Sequence, residues 1–245
     1  YVIHFDDANY ITLAHLTLIN NHSSYGTVVH FEGTASYDTI RNCVLKGYTT
    51  TSSSTDHSVL YAYGFTGQHN VIINNKIQEG GTSIYWRGSG TTTCATATTF
   101  HGNLITNTKG YYGIYAYYNS GLSFNNNNLQ RSSTDQYRSA YMYYSDNDFS
   151  FSNNTFRVTA GSTLYGLQLY YINYTSQNPA ATVVFENNDL EFNNTSTTYA
   201  RLAYAYYLHN RNNIVSIKST SGSTYSQLLN YYCYYTQAKN IRPLT

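Results

Sequence analysis

Three pairs of neighbouring carboxylates, Asp6/Asp7, Asp146/Asp148 and Asp189/Glu191, are the side chains of this 245-residue chain best placed by sequence for bond-breaking chemistry. Two carboxyl groups flanking a glycosidic oxygen can share the acid and base roles of hydrolysis, and a carboxylate cluster can hold calcium beside a basic side chain. Eight His and three Cys add donors for metal or thiol chemistry. The cysteines, Cys43, Cys94 and Cys233, form an odd set with no close pair, so neither a disulfide framework nor a zinc site is indicated and at most one bridge can form. The His residues show no ligand spacing, so no metal and no cofactor are expected. The remaining resource is Tyr, 30 residues of it, which combines rigid apolar area with a polar tip.

Which of these groups can meet depends on the elements that carry them, and those elements repeat. The block apolar, any, Asn, Asn, any, apolar occurs at Ile72–Ile77, Phe124–Leu129, Phe151–Phe156 and Phe185–Leu190, with weaker copies at Leu13–Leu18, Ile40–Leu45 and Phe100–Ile105. The first apolar positions, at 13, 40, 72, 100, 124, 151 and 185, are spaced by 27, 32, 28, 24, 27 and 34 residues. Between the copies lies a second short strand ending in aromatics, as in Leu60-Tyr61-Ala62-Tyr63, Ile84-Tyr85-Trp86-Arg87, Ile114-Tyr115-Ala116-Tyr117 and Ala140-Tyr141-Met142-Tyr143. Loop-type clusters separate them at Thr49 to Thr55, Ser89 to Thr93 and Ser219 to Thr224, and no segment has a helical period. Two or three short strands per rung of about 24–35 residues predict an all-β chain, a right-handed parallel β-helix of about eight to nine rungs and on the order of 40 Å long. A propeller blade needs about 40 residues and four strands, which these repeats lack.

The stacked rungs assign roles by column. The apolar positions of the Asn block face the interior, each stabilising by roughly 1.5–3 kcal/mol when fully buried. The Asn pair marks a sharp corner, because Asn tolerates the left-handed conformation and an amide stacked on an amide can donate to the next rung. The core-facing ladder is expected at Asn75, Asn103, Asn127, Asn154 and Asn188, or at the column one before them. Period-two alternation turns Tyr61, Tyr85, Tyr115 and Tyr141 outward in one column and Tyr63, Arg87, Tyr117 and Tyr143 in a second, lapsing at Gln168 and Ala203. Those eight residues are the candidate binding surface, as a cross-rung stack that stiffens the sheet or as an aromatic patch for a glycan or another surface protein. Asp146 and Asp148 form no carboxylate column: counting back from Phe151 aligns Asp146 with Asn119 and Ala180, and Asp148 with Gly121 and Thr182. Asp189 and Glu191 align with Thr155 and Arg157, which suggests an Arg157–Glu191 surface pair. No catalytic residue is therefore assigned.

The Asn-block rungs, with phrases such as Asn9-Tyr10-Ile11-Thr12-Leu13 and Tyr37-Asp38-Thr39-Ile40-Arg41-Asn42-Cys43, resemble the pectin-lyase-like β-helix repeat proteins. The Tyr, Ser, Thr and Asn-rich style is similar to the β-helical regions of very large secreted bacterial surface proteins of the type IX-exported kind. The resemblance implies an extracellular or cell-surface location and a structural or adhesive role; the same architecture also carries polysaccharide lyases and hydrolases. His101-Gly102 is similar to a His-Gly element of polygalacturonase-like enzymes, but the paired Asp residues and the Arg-x-Lys that accompany it there have no counterpart here.

Charge narrows the partners. With 13 Lys and Arg against 12 Asp and Glu, the net charge of +1 offers no footprint for nucleic acid or an anionic membrane surface. No apolar run approaches the ~20 residues of a membrane span. Sequons at Asn21, Asn153, Asn173, Asn193 and Asn194 are a by-product of composition. The chain opens on strand residues, without a leader or a polar cap, and reads as one β-helix domain over 1–245 cut from a longer solenoid, whose neighbouring segments would be its partners.

Overall fold

The computed structural model describes residues 1–132, 137–160, 163–194, 198–219, 226–235, 237–239 and 242–244; most of the predicted Ser219 to Thr224 loop lies outside them. The chain is an all-β parallel solenoid of about 8 turns. One nine-stranded parallel sheet runs from Thr17–Ile19 through Val44–Lys46, Lys76–Gln78, Leu104–Thr106, Asn128–Ser132, Thr155–Ala160, Asp189–Asn194 and Ile214–Ser219 to Arg242–Leu244. A 17-stranded sheet forms the other two faces, and its long strands Tyr112–Asn125 and Tyr137–Ser152 run around the corner between them. Among the described residues the only helical element is the 3-10 turn Thr55–His57, and no helix is long and apolar enough to cross a membrane.

Burial follows the columns. Ile40, Ile72, Phe100, Phe124, Phe151 and Phe185 pair rung to rung and are buried, with Phe124, Phe151 and Phe185 stacked at 5.5 and 5.6 Å. Leu45, Ile77, Ile105, Leu129, Phe156 and Leu190 form the matching buried column of the nine-stranded sheet. One further copy of the block, Asn210-Arg211-Asn212-Asn213-Ile214-Val215, escapes pattern search because a buried Asn210 stands where the other rungs carry an apolar residue.

The corner between these faces explains the Asn pair. Its first member is left-handed, at Asn42, Asn74, Asn126, Asn153, Asn187 and Asn212 with φ between 53° and 57°. This turns the second member inward, and Asn75, Asn103, Asn127, Asn154, Asn188 and Asn213 are all buried. In the middle of the ladder the Asn127 Oδ1 accepts the Asn103 backbone N–H at 2.9 Å, and its Nδ2 donates to the Phe100 carbonyl at 3.0 Å. The Asn75 Nδ2 likewise donates to the Ile40 carbonyl at 2.9 Å, and one rung earlier the buried Cys43 thiol takes the same place, donating to the Leu13 carbonyl at 3.7 Å. No disulfide joins any two of Cys43, Cys94 and Cys233. Gly102 occupies the left-handed corner of its rung at φ 63°, where a Cβ would lie 2.2 Å from the Asn74 Oδ1, so packing accounts for the glycine of His101-Gly102.

A second corner carries a shorter polar column, and there a charge replaces an amide. The Asn70 Oδ1 accepts from the Asp38 N–H at 3.0 Å and its Nδ2 donates to the Ala35 carbonyl at 2.9 Å. Asp38 accepts the Ile11 N–H at 2.8 Å, but its Oδ2 is buried without a partner, and burial pushes its pKa above the usual value. Between the unfolded pKa of about 3.8 and the raised folded one, the native state holds the extra proton, so this site loses stability as pH rises through that interval. Asp38→Asn supplies a donor for the Ala8 carbonyl, the position equivalent to Ala35, and is expected to stabilise by about 1 kcal/mol at neutral pH. Urea unfolding at pH 7 and pH 4 checks this: the gain should shrink at the lower pH.

Candidate functional site

The long face of the 17-stranded sheet brings the predicted tyrosines into register. Tyr61, Tyr85, Tyr115 and Tyr141 pair across consecutive rungs, as do Tyr63, Arg87, Tyr117 and Tyr143. Successive ring centroids in the first column lie 5.4, 4.6 and 5.5 Å apart with interplanar angles of 29°, 7° and 19°. In the second column Tyr117 and Tyr143 stack at 5.1 Å and 2°, and the Arg87 guanidinium sits over Tyr63 at 4.8 Å and Tyr117 at 5.4 Å. Parallel rings at rung spacing cover one another's faces. Of the eight residues in these two columns only Tyr63 is exposed, at 52%, while Tyr85 is down to 8%. Burial pushes the Tyr61, Tyr85-flanked Tyr115 and Tyr141 phenols above their ordinary pKa.

The first column does not end with the tyrosines. It continues to Gln168 and Arg201 on one side and to His30 and His4 on the other. A third aromatic row, which period-two reasoning misses, runs along the adjacent corner. Tyr118, Tyr144, Tyr171, Tyr204 and Tyr232 all have φ between 49° and 56° and stack at 5.6, 4.8, 4.7 and 5.3 Å. The doublets Tyr117-Tyr118, Tyr143-Tyr144 and Tyr170-Tyr171 were the available signal. A left-handed Tyr costs about 1–2 kcal/mol, so the corner conformation is held by the turn and by ring stacking rather than by residue preference.

Five of the six candidate carboxylates, Asp7, Asp146, Asp148, Asp189 and Glu191, are occupied by structural contacts. Asp7 accepts the Thr34 N–H at 2.7 Å and the Thr34 hydroxyl at 3.0 Å; these bonds hold its pKa below the usual value. Asp146 accepts the N–H groups of Thr175 and Ser176 at 2.9 and 3.3 Å, and Asp148 that of Thr182 at 2.7 Å, so both tie down the loop of the next rung. The expected alignment of Asp146 with Asn119 is corrected to Ser120, because a bulge between Ser120 and Leu122 shifts the register. On the following rung Asp146 meets Thr175 and Ser176, not Ala180.

Glu191 and Arg157 border a shallow groove of about 760 Å³ on the nine-stranded sheet, with Lys76, Gln130 and Asn193. Arg157 pairs with Asp189 directly and lies 3.6 Å from Glu191, so the expected Arg157–Glu191 contact is the longer of the two. Asn193 donates to Glu191 at 3.0 Å and, with Lys218 and Arg157, holds its carboxyl below the usual range. That is the wrong direction for a general acid, whose pKa must be raised toward neutrality.

One cluster was not legible from ligand spacing. His4 and His30 are direct cross-rung partners, their rings parallel within 9° at 4.7 Å, and the His4 Nε2 is 3.0 Å from the Glu32 Oε2. The sequence signal is the repeated Ile3-His4-Phe5-Asp6 and Val29-His30-Phe31-Glu32, an alternating His and acid on one face of two successive rungs. Comparison with protein families, curated proteins and solved structures finds no match to this chain.

Proposed function

We propose that the chain is a rigid structural shaft of an extracellular surface protein, one domain joined to neighbouring solenoid segments and without a catalytic site of its own. The observation that carries this reading is the face-to-face closure of the tyrosine columns: each ring spends its apolar face on the ring of the next rung, and Arg87 does the same with its guanidinium. Cross-rung aromatic pairs contribute roughly 0.2–1 kcal/mol each, and their value is cumulative along a solenoid in which every rung contacts only its neighbours. Asp7, Asp146, Asp148, Asp189 and Glu191 support the same role, since they anchor loops and cations instead of converging on a substrate. The extracellular placement and the pectin-lyase-like kinship rest on the sequence resemblance.

A second reading, adhesion to a glycan, is favoured by the exposed Tyr63 beside Arg87 at one end of the row. Tyr115→Ser/Tyr117→Ser separates the two. The shaft reading expects a loss of about 2 kcal/mol, lowering Tm by about 4–8 °C, with glycan-array binding unchanged. An unchanged Tm together with lost binding of a polysaccharide held by the wild type overturns it in favour of adhesion.

A further inference from the structure

We infer that His4, His30 and Glu32 form a binding site for a divalent transition-metal ion, zinc being the ion that fits best. Parallel pairing sets His4 directly beside His30, and strand alternation places Glu32 on the same outer face two residues after His30. One donor atom from each of the three lies within 4.8 Å of the others, and the His4–Glu32 pair, at 3.0 Å, is already at the separation of two ligands on one ion. With metal bonds of about 2.0–2.1 Å, closing the set around zinc asks only for small side-chain rotations on a fixed backbone.

The donor chemistry selects the ion class. Two imidazoles and one carboxylate are a three-ligand set that leaves a fourth tetrahedral position to water, whereas calcium and magnesium require six or more oxygen donors. The surroundings hold the donors in place: the Tyr1 ring packs 4.5 Å from His4 and the Tyr61 ring 5.0 Å from His30, so the two imidazoles are bracketed by aromatics. Asp6, paired with Glu32 across the rungs, adds a second carboxylate beside the site and favours a cation there. The hydrogen bond that joins His4 to Glu32 without metal is replaced by two bonds to the ion, so the site is open to loading from solvent.

The test is titration of the metal-stripped full chain with zinc chloride by calorimetry, and with cobalt(II) as a spectroscopic probe. The expected result is one zinc per chain with Kd of about 1–100 µM and four-coordinate cobalt absorption bands in the visible. Glu32→Gln keeps the size of an exposed side chain and His30→Gln removes one imidazole; each should weaken binding by at least about tenfold, whereas His209→Gln on another face should not. Circular dichroism of Glu32→Gln verifies that the fold is retained. Absence of saturable one-to-one binding, or equal affinity in wild type, Glu32→Gln and His30→Gln, overturns the site.

Discussion

Replacing Asn127 by Ala is expected to lower the unfolding free energy by about 3–5 kcal/mol, far above the cost of an ordinary surface change. The side chain sits in the middle of the ladder, with three rungs' worth of partners. Its loss strands the Asn103 N–H, the Phe100 carbonyl and one donor of the Asn103 amide, which reaches the Asn127 Oδ1 at 3.0 Å, all in a buried corner closed to water. It also removes the donor that reaches the Asn154 Oδ1 at 3.3 Å. Each buried group left unpaired costs about 1–3 kcal/mol, and the sum is moderated by relaxation of the corner. Asn126→Ala, one residue earlier, is the control: it keeps every ladder bond, gives up only an exposed contact of its Nδ2 with the His101 Nδ1 at 3.4 Å, and meets the left-handed cost of about 1–2 kcal/mol at φ 57°. Urea denaturation of both variants decides it, and equal losses would show that the corner conformation, not the ladder, is what Asn provides. Because rungs couple only to neighbours, the Asn127 variant should also broaden the transition as the two halves of the solenoid part company.

Phe151→Ala is the second large effect, also about 3–5 kcal/mol. Phe151 is fully buried on a central rung, stacked between Phe124 at 5.5 Å and Phe185 at 5.6 Å, with the Phe156 ring edge-on at 5.7 Å. Truncation empties a site whose walls are themselves fixed by the ladder hydrogen bonds, which limits collapse around the cavity. Phe151→Leu refills most of the volume and should cost less than half as much. Leu13→Ala in the same column, on a rung where that position is only partly buried, should fall below about 2 kcal/mol. Chemical denaturation of the three variants tests the ranking Phe151→Ala, then Phe151→Leu and Leu13→Ala. Indistinguishable Phe151→Ala and Phe151→Leu would mean that the interior stack tolerates voids and that the backbone ladders carry the fold.

The parallel solenoid was legible because its two signals are local. Alternation of apolar and polar residues marks each strand, and the block ending in Ile77, Leu129, Phe156 or Leu190 marks each corner with residues only two or three apart. Outward tyrosine columns were legible for the same reason, since Tyr61, Tyr85, Tyr115 and Tyr141 follow interior residues at a fixed offset. What failed were inferences that counted across an irregularity. The bulge after Ser120 moved Asp146 by one register position, and the loop carrying Thr175 and Ser176 turned that carboxylate into an anchor. Asn213 was missed because its rung opens on Asn210 instead of an apolar residue.

By itself, then, the sequence determined the repeat, the strand faces and the residue types that fill each column, since these depend on period and composition. Tertiary structure alone decided which Asn of each pair turns inward, that a row of tyrosines takes the left-handed corner, and that His4 meets His30 and Glu32. Those outcomes depend on how one rung lies on the next. A corner's direction and a cross-rung contact are set by stacking between segments some 24–35 residues apart, a relation that no local window contains.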